Sequence, residues 1–464
     1  MLRIIPILIL LIATSCGSRR TSDASTFIIT DFGAVADSVT DNAPAIQRAI
    51  DHCAEAGGGT VIIPAGQTFI TGPIHLASNL NLHLEPGSRL LAAPDESLYT
   101  ESAFLDNRGE GMMWISARDV TNLSITGTGT IDGNGVAFMG AELSDSYELK
   151  PVTDFDPRPH VLTIIGANGV RISDVTVRNS AYWTIHLIGC RDVAISDIAL
   201  LNNLKIRNGD GIDIDHSSKV RITGCYIESG DDCICLKNRR EWEQYGACYD
   251  IVVTNCIMTS RSCAVKIGSE NMDSIHRVLF DNCIITDSNR GIGIQNRDEG
   301  TVSDVTFSNF HVDCHLYSEV WWGQSEPIYV TSYPRAVGNH KDAGWRFPKG
   351  AVKGECGRVS DIRFINIYGT SENGIFIGGD VPGKVSDITL SNIGLTLVDV
   401  TEFPGSLYDR RPCDGEGFIS SPAYGLFAEN VDGLTIRDFT VTPLSTTRPY
   451  AGPFHLTSCT RTQK

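Results

Sequence analysis

Basic residues are scarce in this chain: 38 Lys and Arg stand against 55 Asp and Glu, a net charge of −17. That deficit excludes the clustered cations needed to neutralise nucleic-acid phosphates, so no nucleic-acid partner is expected. Any anionic polymer must be held by a local cationic patch, because the overall field repels it. Aromatic residues are sparse too, at 8%. After the first sixteen residues no apolar run is long enough to cross a bilayer as a helix. No phosphate-cradling loop, metal-ligand spacing or redox pair stands out, so neither a cofactor nor a metal is expected. Cys233 and Cys235 flank Ile234 one residue apart, a spacing that suits neither zinc nor dithiol chemistry.

Glycine, by contrast, is abundant, with 45 residues, which suggests many tight turns in a largely β structure. The chain starts with a processing signal: Arg3, an apolar core from Ile4 to Ile12, then Ala13-Thr14-Ser15-Cys16. The core has the length of a signal-peptide h-region. The cysteine after small residues resembles the bacterial lipoprotein box, with Ala13 where Leu is usual. That resemblance implies cleavage before Cys16, acylation of Cys16, and a protein held by lipid at the periplasmic or outer face of a membrane. An ordinary signal peptide is the alternative. Residues 17–26 read as a polar tether.

A repeat organises the rest. An alternating apolar run begins at Val170, Val193, Val220, Ile251, Val278, Val305, Ile362, Ile388 and Leu434, at intervals of 23, 27, 31, 27, 27, 57, 26 and 46 residues. Alternation marks half-buried strands, and the shorter intervals suit one coil of a solenoid. The two long ones carry inserted loops or an unrecognised coil. Asn255, Asn282, Asn309, Asn366 and Asn392 share one repeat position, as an amide ladder would. Cys225, Cys256 and Cys283 take the next, which favours a stacked column of buried thiols over disulfides. A second strand column reads Ile212/Ile214, Ile234/Leu236, Val265/Ile267, Ile292/Ile294, Ile328/Val330 and Ile375/Ile377. The expected fold is all-β, a right-handed parallel β-helix over 27–445 with a tail at 446–464. Asp41 or Asn42 caps a helix over 43–56 that covers the open end of the core.

Two residues before each inward pair lies a common outer line: Asp210, Asp232, Cys263, Arg290 and Glu326. Adjacent coils are about 4.8 Å apart, so Asp210, Asp231 and Asp232 fall together. Crowded carboxylates repel, which raises at least one pKa, and glycoside hydrolysis needs one protonated and one ionised carboxyl. Asp in a tight turn and a Ca²⁺ site remain open on pattern alone.

Asn208-Gly-Asp-Gly-Ile-Asp213 and Gly230-Asp-Asp-Cys-Ile-Cys-Leu-Lys237 resemble the two acidic motifs of glycoside hydrolase family 28, the polygalacturonases. Asp31-Phe-Gly-Ala-Val-Ala-Asp37 and Gly127-Thr-Gly-Thr-Ile-Asp-Gly133 resemble earlier signatures of the same group, so the likeness spans roughly residues 27–400. It implies an inverting hydrolase in which Asp231 protonates the leaving oxygen while Asp210 and Asp232 activate water. Inversion generally leaves about 6.5–9.5 Å between acid and base. The implied partner is a pectic polysaccharide or oligosaccharide, bound by a monomer.

Two departures stand out. Ser262-Cys263-Ala264 replaces the family's Gly-His-Gly, and Gly291-Ile292-Gly293 replaces the Arg-Ile-Lys that grips a substrate carboxylate. Substrate contact is expected instead from Lys266, Arg290, Glu326, Tyr329 and Trp322. A rhamnogalacturonan-type or side-chain linkage, cut from one end, fits this change. Trp321 and Trp322 either stack on a sugar or pin a loop. His340, Trp345 and Arg346, in the long insertion, are placed to wall off one end of the cleft. His186 and His216 are expected to be structural, and Arg410-Arg411 to form a solvated turn. The rival readings are a Ca²⁺-dependent lyase and a non-catalytic polysaccharide-binding β-helix.

Overall fold

The computed structural model describes residues 25–105, 110–142, 149–151, 157–318, 321–335, 355–414 and 416–461. Cys16 and the signal segment lie outside the described residues, as do most of the tether and His340, Trp345 and Arg346.

The chain winds as a right-handed parallel β-helix, the hand that parallel crossovers adopt. Inward positions of successive coils stack into aliphatic columns. Ile185, Ile212, Ile234, Val265, Ile292 and Ile328 pair in register down one sheet. On another face Phe280, Phe307 and Phe364 stack with centroids 5.4 and 5.1 Å apart. β-Branched and aromatic residues suit this pleated surface, where each side chain packs on its equivalent one rung away.

Between strands the backbone turns through left-handed conformations, which Asn tolerates better than most residues. Asn255, Asn282, Asn309, Asn366 and Asn392 all have φ between 53° and 58°. The expected ladder forms: Asn282 Nδ2 donates to Asn255 Oδ1 at 2.6 Å, Asn366 to Asn309 at 2.9 Å and Asn392 to Asn366 at 2.8 Å. One step differs, for Asn309 donates to Asp281 instead. Cys225, Cys256 and Cys283 are buried free thiols in a column, as expected.

A helix over Ala43–Glu55 covers the first coil with Ile46, Ala49, Ile50 and Cys53. Asn42 is its N-cap residue but makes no side-chain capping bond, and the Ala43 amide donates instead to Asp41 Oδ1 at 2.9 Å. The Asn42 amide is used elsewhere, bonding Val35 and the Ile70 carbonyl. Coils earlier than the first recognised repeat are present as well, at Gly59–Ile63, Leu80–Leu84 and Thr121–Gly127. The 46-residue interval carries an antiparallel hairpin, Leu407–Asp409 with Phe418–Ser420. The expected tail is a correction: Tyr450–Thr457 pairs in parallel with Ala423–Glu429, so the solenoid runs past residue 445. An unpaired edge there would leave the backbone groups of the previous rung unsatisfied.

The sheet that matters for function has twelve parallel strands. Its inward side faces the core, and most of its outward side is covered. Met113, Ile165 and Ile188, on three strands toward its N-terminal end, pack under Phe104, Tyr182, Trp183 and Trp242. Tyr329, Phe376 and Phe427, on three strands toward its other end, pack with Tyr333, Tyr408 and Cys413. Between these plugs lie four strands: Ile212–Asp215, Ile234–Asn238, Cys263–Asn271 and Arg290–Asn296. At the usual rung spacing they span about 14 Å.

Candidate active site

Asp210, Asp231 and Asp232 sit on turns entering two of these four strands. Glycines permit the turns: a Cβ on Gly211 would lie 2.3 Å from the Cys233 carbonyl, and one on Gly230 would lie 2.2 Å from that of Ile206. Buried hydroxyls hold the turn backbone. Ser260 Oγ donates to the Asp231 carbonyl at 2.6 Å, and Ser229 Oγ to those of Gly209 and Asp232. Arg158, fully buried, braces the preceding loop through the Arg207 carbonyl and Asn208 Oδ1. The predicted line of Asp210, Asp232, Cys263, Arg290 and Glu326 is in register, since Ile212 pairs with Ile234, Ile234 with Val265, Cys263 with Arg290 and Ile292 with Ile328.

One carboxylate oxygen from each of the three Asp lies within 4.8 Å of the others. That is closer than the separation expected for an inverting pair, because neighbouring rungs dictate it. Burial, reinforced by the Asp232 charge, lifts the Asp231 carboxyl to about 6. Burial and then the Asp231 charge drive Asp210 well above the carboxylate range. The cluster therefore retains a proton near neutral pH, shared between coupled groups. Lys266 Nζ lies 2.7 Å from Asp232 Oδ2, and Ser262 Oγ donates to Asp232 Oδ1 at 3.1 Å. The three oxygens are near enough to share a divalent cation. The Lys266 ammonium already supplies the countercharge there, and a hard cation wants six or more oxygens.

The expected substrate contacts fare differently. Lys266 borders the acids, but as the partner of Asp232. Arg290 is buried, pairs with Glu326 at 3.1 Å and stacks 3.6 Å over the Tyr329 ring. Glu326 and Tyr329 are 0% exposed, so neither offers surface to a sugar in this conformation. Opposite charges on adjacent rungs satisfy each other, and the Tyr329 hydroxyl accepts from Arg297 at 3.0 Å. Trp322 lies under the Arg411 guanidinium, 4.9 Å from its ring, which favours the loop-pinning role. Arg410 and Arg411 are not a solvated turn: Arg410 forks onto Glu429, and Arg411 pairs with Asp409 at 3.0 Å. His186 and His216 are buried, His186 against Asp215 at 3.3 Å and His216 against the Arg239 carbonyl at 2.9 Å.

Sequence reasoning missed Asp213, Lys237 and Glu270. Lys237 Nζ is 3.6 Å from both Asp213 Oδ1 and Glu270 Oε2 and 4.7 Å from the Trp183 ring. Asp213 and Lys237 belong to the acidic motifs, and their signal was strand alternation, which turns both outward.

The pattern of glycosyl hydrolases family 28 matches residues 53–317, and the chain belongs to that family. A probable polygalacturonase of Vitis vinifera is 30% identical over 305 residues, 61% of this chain and 58% of that protein. A probable endo-xylogalacturonan hydrolase A of Aspergillus niger is 29% identical over 61% of this chain and 67% of its own length. The chain thus spans less than two thirds of the grape relative. The fold is similar to that of a family 28 exopolygalacturonase of Yersinia enterocolitica, with a TM-score of 0.70 at 21% identity, covering 94% of this chain and 77% of that one.

Proposed function

We propose that the protein is an exo-acting hydrolase of a glycosidic linkage in a pectin-type polysaccharide. The observation that carries this reading is a three-Asp cluster holding a proton, set on the turns that enter two of the four strands between the aromatic clusters. Asp231, with its carboxyl near 6, gives its proton to the glycosidic oxygen as the bond to the anomeric carbon breaks. Water forms the new bond to that carbon, and Asp232, paired with the Lys266 ammonium, takes the proton it loses, with Asp210 beside it. The anomeric centre is inverted, with the attacking water in front of the carboxylate pair instead of between widely spaced groups. Aromatic clusters packed on the sheet to either side of these strands favour release of short pieces from a chain end.

The polypeptide works as a monomer, exported and held to a membrane through lipid on Cys16. The signal-like N-terminus ending at Cys16 supports that placement. Mass spectrometry of rhamnogalacturonan and homogalacturonan digests tests the chemistry. Saturated mono- or disaccharides are expected from wild type, and Asp231→Asn should lower turnover about 10²–10⁴-fold, the usual worth of a positioned acid. Proton NMR of the first product should show the inverted anomer. Unsaturated products would mean elimination, and near-normal turnover by Asp231→Asn would remove that residue from the mechanism.

A further inference from the structure

We propose that an open groove on the 21-stranded sheet, the other sheet from the acidic cluster, holds a strand of neutral, hydroxyl-rich polysaccharide without cutting it. The assignment does not depend on the hydrolysis proposed above. Tyr226, Ile257, Ile284, His311 and Tyr368 stand in register on five consecutive rungs. Strand alternation turns them outward: Ile257, Ile284 and Tyr368 are 40%, 43% and 44% exposed, whereas their neighbours Met258, Ile285 and Val312 are in the core. Exposed apolar side chains in a continuous column are a mark of a binding surface.

Four of these rungs, from Ile257 to Tyr368, form one wall of a groove of about 560 Å³. The facing wall is the asparagine ladder from Asn255 to Asn366, and between the walls lie Cys256, Cys283 and Phe310. Tyr368 lies against Gly394 of the next rung, where a Cβ would come within 2.8 Å of the ring. The glycine thus leaves room for the ring to lie along the sheet. The ladder adds polar groups at the same spacing. Asn309 donates to Asp281 and not to Asn282, so no described side chain donates to Asn282 Oδ1. An amide oxygen midway along the groove is left to accept from a hydroxyl.

What the groove has and lacks identifies the occupant. Among the described residues no Asp, Glu, Lys or Arg lines it, in a chain of net charge −17. Asp281, the carboxylate bonded to its wall, repels an anionic polymer. An extended peptide binds a sheet by adding to an open edge, but these rungs are already bonded to the rungs on either side. A second copy needs more surface, since each partner of a stable pair buries about 800 Å². This strip is one side chain wide and about 14 Å long from Ile257 to Tyr368, with only Val252 and Leu279 exposed beyond the ladder on the same rungs. A neutral glycan meets every condition. Pyranose rings joined 1,4 advance by close to one rung each, so their C–H faces meet the apolar column while their hydroxyls meet the amides.

Affinity electrophoresis of the whole protein, in native gels cast with 1,4-β-galactan, xylan or polygalacturonate, tests the groove. At least one neutral glycan should retard the wild type. Tyr368→Ala and Ile284→Ser should each weaken that retention about fivefold or more. Neither substitution changes the charge, and both side chains are half-exposed, so the melting temperatures should match that of wild type. Asp231→Asn, on the other sheet, should be retarded like wild type. Failure of both neutral glycans to retard the protein would overturn the proposal, and so would retention that neither groove variant weakens. Polygalacturonate retention that falls as much as neutral-glycan retention in the two variants would overturn it as well. A wild type that sediments as a dimer and turns monomeric in Tyr368→Ala would give the strip to a second copy. Neutral-glycan retention by a protein that hydrolyses no pectic fraction would leave the groove standing and remove only the enzyme reading.

Discussion

Replacing Lys266 by Met probes how the acidic cluster is held together. Its ammonium lies 2.7 Å from Asp232, with side-chain exposures of 14% and 1% for the two partners. Removing one member of a buried pair leaves the other charge uncompensated, which typically costs about 3–5 kcal/mol. Ser262 remains as a single donor to Asp232, so the lower end, about 3 kcal/mol, is expected. Urea unfolding at pH 7 measures it. Adding Asp232→Asn to Lys266→Met should restore part of the lost stability, because no charge is then stranded. A deficit under about 1 kcal/mol, or one that Asp232→Asn does not relieve, would refute the claim that this is a buried, energetically coupled pair.

Two further outcomes follow from the same geometry. If Asp231 delivers the proton with its carboxyl near 6, kcat/KM should fall about tenfold per unit as pH rises above that value. In Lys266→Met the limb should move upward, since Lys266 is the main influence holding Asp231 down; a limb that stays put would separate the two residues. All thirteen described cysteines are free thiols, so the melting temperature should be the same with and without dithiothreitol. A drop on reduction would mean that a disulfide contributes to stability.

The coil register was legible because a strand has a period of two residues and a solenoid repeats it. Counting back two from each inward pair was enough to align Asp210, Asp232, Cys263, Arg290 and Glu326 across five rungs. The same counting also places Arg290 beside Glu326, and their opposite charges were a sign that they would serve each other. Asp213 and Lys237 were hidden in plain view, read as members of a motif and not as outward positions of a strand. The plugs were not legible. Trp242 Nε1 donates to the Ala103 carbonyl across 139 residues of chain, and no local pattern encodes such a meeting. The final strand was missed because its side chains are mostly exposed or half-buried, which blurs the alternation that marked the inner coils.

The absent histidine bears on whether hydrolysis survives in this chain. Cys263 occupies its place, but burial raises the thiol and its Sγ points to the Val265 carbonyl at 3.0 Å. A neutral thiol held against a backbone carbonyl cannot supply a positive charge or shuttle a proton. What the acids need from that rung is a countercharge and a donor, and both are present on either side of Cys263. Ser262 Oγ gives the hydrogen bond and Lys266 Nζ the charge, both to Asp232. Lys266 is fixed where an imidazole would titrate, since its ammonium, despite burial, is held charged by Asp232. The loss of one pH-sensitive side chain is therefore met by a permanent cation three residues along the same strand. Asp231 keeps the raised carboxyl required of an acid, and the change falls on what the neighbouring subsites can hold.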